Sequence, residues 1–241
     1  MKNASSSQKL VISHFNGPAL VIAGPGSGKT FSVINRVNSL ISNHKISPDQ
    51  ILVVTFSKHA ANEMNNRYKS LSNSFGVLFC TFHSLAYNYL INYSKFDKYK
   101  LVSENEKLKI FITVLKNNDL DKNTSKEEII SLINQLSYLK NTNNYKNDYS
   151  SYIFQTETIP KDKINYIINQ YLDYLKEFNL VDFDDIIINC LKMLSDFKTN
   201  GYDYKKYKYI IVDEFQDINQ AQYDFIKLIS YSKNIMVVGD V

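Results

Sequence analysis

The stretch LVIAGPGSGKTFSV, Leu20–Val33, constrains this chain more tightly than any other, because the backbone must change its rule twice within it. The run Ala19–Ala23 is apolar, partly β-branched and too short for a helix, which predicts a buried strand. Gly24, Gly26 and Gly28 then free the backbone to turn, and an amphipathic pattern predicts a helix over Thr30–Ser42. Such a loop turns its amides inward at the positive end of a helix dipole, a setting suited to an anion such as phosphate. A glycine-rich turn without a ligand is the plainer alternative for these residues taken alone.

The same unit recurs. Apolar runs at Ile51–Phe56, Val77–Phe82, Tyr209–Val212 and Ile235–Val238 predict further strands. Helical patterns follow at Lys58–Ser70, His83–Tyr93 and Gln220–Ser230. Strand then helix, repeated, predicts an α/β fold with a parallel sheet and helices on both faces. Between about Asn92 and Leu180 the chain turns polar and rich in Lys, Asn and Tyr. Helical periodicity there covers Glu104–Lys116, Lys126–Leu139 and Lys163–Phe178, with no strand. This segment reads as an inserted all-helical subdomain, with Lys140–Thr158 as a loop inside it.

At 241 residues and 44% apolar composition, the chain can bury one large core or a core plus a subdomain. A formal charge of +4 does not by itself indicate a nucleic-acid partner, so any basic surface must come from uneven distribution. Cys80 and Cys190 follow no metal-ligand spacing and read as buried reduced thiols. The N-terminal MKNASSSQKL lacks the apolar stretch of a signal peptide, and no run approaches the ~18 continuous apolar residues of a membrane span. A cytoplasmic chain with no membrane partner is expected.

A phosphate loop requires particular chemistry after the glycines. Lys29 supplies a charge for terminal phosphates, and Thr30 a hydroxyl for magnesium. Ala23 stands where the general pattern has glycine, and the physical requirements survive it. A second acid for the metal is expected at the end of another strand, and YIIVDEFQD at Tyr209–Asp217 provides one. Asp213 would complete the magnesium shell, largely through water, and Glu214 would polarise an attacking water. That pairing predicts a hydrolase rather than a kinase, since water is the acceptor. A solvated acidic turn capping a helix is the competing reading, and it suits Asp217 well.

AGPGSGKT, TFSKHAANEM, TFHSLAY, VDFDDII and IIVDEFQDINQAQYDFIKLI occur in an order and spacing that resembles the UvrD/Rep/PcrA family of superfamily 1 DNA helicases, over the whole chain. The resemblance implies a first RecA-like P-loop domain at 1–90 and 179–241, with a helical subdomain at 91–178. It implies ATP held by Gln8, Ala23, Gly24, Pro25, Gly26, Ser27, Gly28, Lys29, Thr30 and Phe31, with Gln8 reading adenine. Phe31 stands where the family commonly has an arginine packed on the nucleotide. Magnesium would lie on Thr30 and Asp213. Lys29, Asp213, Glu214 and Gln216 would form the catalytic set, Gln216 coupling nucleotide state to DNA.

By the same resemblance Thr55, Phe56, Thr81, Phe82 and His83 would grip single-stranded DNA, although on its residues alone Phe56, an aromatic ending an apolar run, reads more readily as core. A metal role for His83 finds no second ligand at suitable spacing. VDFDDII marks the return from the insertion and implies no catalysis; its acids also suit the start of a helix. The enzyme implied works at duplex junctions, moves 3′ to 5′, and closes its ATP site with a second RecA-like domain. This chain would then be an N-terminal fragment, IMVVGDV leading into the family's next motif. A DNA-independent ATPase and a non-catalytic nucleic-acid-binding module are the rival readings.

Overall fold

The computed structural model describes residues 4–72, 75–142, 149 and 152–240. Within the expected loop Lys140–Thr158, residues 143–148, 150 and 151 lie outside the described residues. By contacts the chain divides into two units: Met1–Leu85 with Leu194–Ile218 and Tyr223–Val241, and Ala86–Met193 with Asn219–Gln222.

The first unit holds a five-stranded sheet of β1 (Ala19–Ile22), β2 (Ile51–Thr55), β3 (Leu78–Thr81), β6 (Tyr209–Val212) and β7 (Ile235–Gly239). Its order is β1-β7-β6-β2-β3 and every neighbouring pair is parallel. β2 and β6 lie inside the sheet and are buried at every position, which is why their sequences are continuously apolar. β1 is an edge strand and alternates, leaving Leu20 and Ile22 exposed.

Alternation along the strands separates the two faces. On one face α2 (Lys29–Ser42) presents Val33, Ile34, Val37 and Leu40, and α3 (Lys58–Leu71) presents Met64 and Tyr68. They pack on Ile51, Val53, Tyr209, Ile211, Met236 and Val238. Fully burying an aliphatic side chain stabilises by about 1.5–3 kcal/mol, so this layer anchors the loop-bearing helix firmly. On the other face Tyr223 and Ile226 of α9 (Gln220–Ile229) line a groove with Val212 and Val237. Cys80 and Cys190 are buried free thiols, and burial pushes the Cys80 thiol up to about 12.

Two expectations change at the ends of elements. No element was expected ahead of β1, and α1 spans Ser6–Ser13. Its signal was present in SSSQ: Ser5 and Gln8 form a reciprocal capping box, Gln8 N donating to Ser5 Oγ at 3.2 Å and Ser5 N to Gln8 Oε1 at 2.9 Å. Strand β3 ends at Thr81, and Phe82 opens helix α4 (Phe82–Tyr93) instead of closing the strand.

The second unit contains α5 (Glu104–Lys116), α6 (Lys126–Asn141) and α7 (Ile164–Glu177), packed through Phe111, Leu115, Leu132, Leu136, Ile167 and Tyr171. It is not free of strands: β4 (Lys100–Leu101) pairs in parallel with β5 (Leu180–Val181). A two-residue ladder is too short for any period to reveal. Helix α8 (Phe183–Thr199) follows β5, its first turn capped reciprocally by Asp182 and Asp185, each backbone N donating to the other's carboxylate at 2.9 Å. The acids of VDFDD therefore begin a helix, one of the two uses open to them from sequence. Among the described residues no helix is long and apolar enough to cross a membrane.

Glu128, near the start of α6, is 6% exposed and gathers the chain at 156–158. Its carboxylate accepts from Thr156 Oγ1 at 2.6 Å, Glu157 N at 2.8 Å, Thr158 N at 3.0 Å and Thr158 Oγ1 at 2.8 Å. Burial pushes its pKa up, but those donors outweigh it and hold the group at about 2. A depressed folded pKa contributes stability above the unfolded value of 4.5, and loses it as pH falls toward 2. Glu128→Gln is therefore expected to destabilise the chain by about 1–3 kcal/mol at pH 7, the cost of weakening bonds to a buried charged group. The difference from wild type should shrink between pH 4.5 and 2. Urea unfolding at several pH values checks this, and a pH-independent difference would contradict it.

Candidate nucleotide site and its neighbours

The parallel strands bring their C-terminal ends to one edge. Register pairs Ile22 with Gly239, Val54 with Val212 and Thr55 with Thr81, so the loops after β1, β6, β7, β2 and β3 meet there. That edge is where open α/β sheets bind ligands.

Gly28 caps α2 in the left-handed region at φ +86°. The positive φ disfavours a side chain there, and a Cβ would lie 2.7 Å from Gln8 Nε2 and displace that amide from its place at the loop. No side chain caps the first turn of α2, which leaves its orphan amides facing the loop. Lys29 Nζ donates to the Ala23 carbonyl at 3.2 Å and pairs with the Asp240 carboxylate. Asp240 was not singled out from the sequence, yet it follows an apolar strand as Asp213 does. That pattern was the available signal.

Asp213 is 5% exposed, and its backbone N donates to Val54 O at 2.9 Å. Its Oδ1 is buried without a hydrogen-bond partner among the described residues. Burial first, and then the charge of Glu214, push this carboxyl up to about 6, against the Glu214 backbone amide and Lys29. A buried unmatched carboxylate oxygen is costly, and a hard cation is the natural remedy. Thr30, half-buried at the second position of α2, offers a hydroxyl. One carboxylate and one hydroxyl suit magnesium, which keeps waters and takes phosphate oxygens for the remainder.

Glu214 adopts φ +53° and ψ +47°, a left-handed conformation uncommon for a residue with a side chain. It opens the 3₁₀ turn Phe215–Asp217. Gln216 Nε2 donates to Glu214 Oε2 at 2.9 Å, while Gln216 Oε1 accepts from Asp240 N at 3.1 Å. Gly239 permits this approach, since a Cβ on it would stand 2.7 Å from Gln216 Oε1. Gln216 therefore connects Glu214 to the residue that pairs with Lys29.

Gln8 reaches the loop from α1, its Nε2 donating to Ser27 O at 2.9 Å. Phe31 flanks the same glycine and is 38% exposed, which leaves its ring open to a flat partner. Ala23, Gly24, Pro25, Gly26 and Ser27 make up the connecting turn, closed by Ser27 N donating to Gly24 O at 3.3 Å.

The two Thr-Phe pairs look alike in sequence but differ in space. Phe56 lies between β2 and α3 and is 59% exposed, so it is no core residue. Phe82 begins α4 without an intervening residue and is 2% exposed. Its ring belongs to the core and offers no face for a base, which corrects its place in the expected DNA set. Thr55 is fully buried and donates to Ser57 O at 2.9 Å. Thr81 exchanges hydrogen bonds with Ser84 ahead of α4. Both hydroxyls thus shape helix entries. His83 is half-buried in the first turn of α4.

The profile of the UvrD/REP helicase N-terminal domain matches residues 4–241. A probable DNA helicase II homolog of Rickettsia conorii is 31% identical over 97% of this chain and 36% of its own length. An ATP-dependent DNA helicase Rep of Buchnera aphidicola is 32% identical over 97% of this chain and 37% of its own length. An ATP-dependent DNA helicase PcrA of Staphylococcus epidermidis is 29% identical over all of this chain and 33% of its own length. The chain spans about a third of the length of these curated relatives.

Proposed function

The chain belongs to the UvrD/REP helicase family, and from that premise we propose that it is the ATP-binding half of a DNA-translocating motor. The observation that carries this reading is the gathering of Lys29, Asp213 and Glu214 at one sheet edge, with the exposed ring of Phe56 on the adjoining strand end. Residues 1–90 and 179–241 form the motor domain in this proposal and 91–178 the inserted subdomain. The contact units support that division, with seams moved into α4 and α8.

Lys29 would neutralise the terminal phosphates, and Gln8 and Phe31 would meet the adenine. Thr30 and Asp213 would hold magnesium, which supplies charge neutralisation at the phosphates when bound. Glu214 is placed to take the proton of the attacking water, and Gln216 to report its state through Asp240. Phe56 would stack on a base of single-stranded DNA, a contact worth about 1–3 kcal/mol that tolerates any sequence. A 3′ to 5′ step at duplex junctions, and a second RecA-like domain closing on the ATP, complete the motor by analogy with the family.

The chain's arginines explain why a second side is needed. Arg36 is buried against carbonyls, and Arg67 pairs with Glu63 at 2.5 Å on α3. Neither can serve as an arginine finger, whose contribution is about 10³–10⁵ in rate. The test is ATP hydrolysis by this chain with and without single-stranded DNA at low salt. Magnesium-dependent ATP binding is expected, retained in Glu214→Gln, with turnover that DNA does not raise. Strong stimulation by DNA would overturn the incomplete-site reading, and a wild-type chain that binds no ATP with magnesium would overturn the nucleotide site.

A further inference from the structure

Helix α1 carries Gln8, but little hydrophobic force holds it. It has eight residues and buries only Ile12, far below what a helix in water needs to persist alone. Its placement combines packing of Val11 and Ile12 along α2 with specific contacts at its ends. The N-terminal end has the capping box and the bond from Gln8 to Ser27 O. The C-terminal end has no basic residue of its own in the last turn.

Arg36 of α2 supplies that cation from outside. It is 1% exposed, and its guanidinium donates through one nitrogen to Val11 O at 3.3 Å and to His14 O. These are carbonyls at the end of α1, where a positive charge meets the negative end of the helix dipole. Among the described residues its partners are carbonyls rather than a carboxylate, and its Nε has no partner. Burial lowers its pKa to about 10, with Tyr209 acting the other way, so the group stays charged at neutral pH. An arginine buried at such cost in the helix that follows the nucleotide loop calls for a reason beyond filling space.

We propose that Arg36 is a positioning residue for nucleotide selection: by fastening the C-terminal end of α1 to α2, it sets the Gln8 amide at the loop where it meets the base. The proposal rests on the reading of Gln8 as the adenine reader. Val11, Ile12 and the stacking of Phe15 on His44 at 3.9 Å keep the chain near the core without Arg36, whose bonds add a directed hold on the C-terminal end of α1.

The experiment measures magnesium-dependent affinities for ATP and GTP in the 241-residue chain, wild type against Gln8→Ala, Arg36→Met and the double variant. A lost hydrogen bond to the base should lower the ATP preference about three- to tenfold in Gln8→Ala. Arg36→Met should lower it to the same level, and the double variant no further, because both changes break one path. A role in stability alone would move the unfolding midpoint and leave the ratio of the two affinities untouched. Should Arg36→Met not fold, Arg36→Gln retains one donor and carries the test with the same expected direction. Preference lost in Gln8→Ala but intact in the Arg36 variants would overturn the positioning role while the nucleotide site stands. Preference unchanged in Gln8→Ala would overturn the base reader itself.

Discussion

Lys29→Ala should weaken binding of ATP with magnesium by about 10²-fold or more, since each lost charge-assisted hydrogen bond to phosphate is worth roughly 1.5–3 kcal/mol. The fold should survive, because among the described residues Lys29 bonds to the Ala23 carbonyl and the partly exposed Asp240 at the rim of the sheet. Titration with a fluorescent ATP analogue, alongside circular dichroism, separates loss of binding from loss of structure. Equal affinity in the two proteins would remove Lys29 from the site. It would also leave the open first turn of α2 as the sole means of holding phosphate.

The second large effect lies in the helical unit. Lys140 of α6 is 4% exposed and pairs with Asp182 at 2.7 Å and Asp185 at 2.6 Å. Burial works against its charge, but Asp185 and Asp182 more than offset that and raise its pKa. Removing it leaves these carboxylates without their ion-paired cation, with Lys107 acting on Asp182 only through space, so Lys140→Ala should cost about 3–5 kcal/mol. Such a loss is a large part of the stability of an ordinary domain. Adding Asp182→Asn and Asp185→Asn should recover much of it, because asparagine still caps α8 and carries no charge. Thermal unfolding of the single and triple variants decides the matter. A single variant within 1 kcal/mol of wild type, the range of surface ion pairs, would mean that water reaches the group.

These ion pairs illustrate what a sequence conceals. VDFDD was legible as the start of a helix, because capping depends on residues three apart. That Lys140, more than forty positions earlier, neutralises the same acids depends on the packing of α6 against α8, which no local pattern encodes. Asp184 behaves likewise, accepting from Ser137 Oγ at 2.5 Å and from Asn141 Nδ2 at 2.9 Å. Asn141 Oδ1 in turn accepts from Asn219, which with Gln222 forms the reciprocal cap of α9.

The sequence by itself determined the parallel sheet, the glycine loop and the acids beyond β6. Those features follow from short-range rules: alternation, turn chemistry, and the need for charge where strands end. It also carried the family, through five motifs in order. Tertiary structure alone decided which aromatic of two identical Thr-Phe pairs faces solvent: Phe56 and Ser57 bridge β2 and α3, with Phe56 turned outward, while Phe82 directly enters a helix facing the core. It alone left Asp213 Oδ1 buried without a partner among the described residues, and it alone laid α1 across α2 so that Arg36 and Gln8 act on opposite ends of one helix. Burial and hydrogen-bond satisfaction depend on what packs from distant parts of the chain, and one-dimensional spacing carries no record of that.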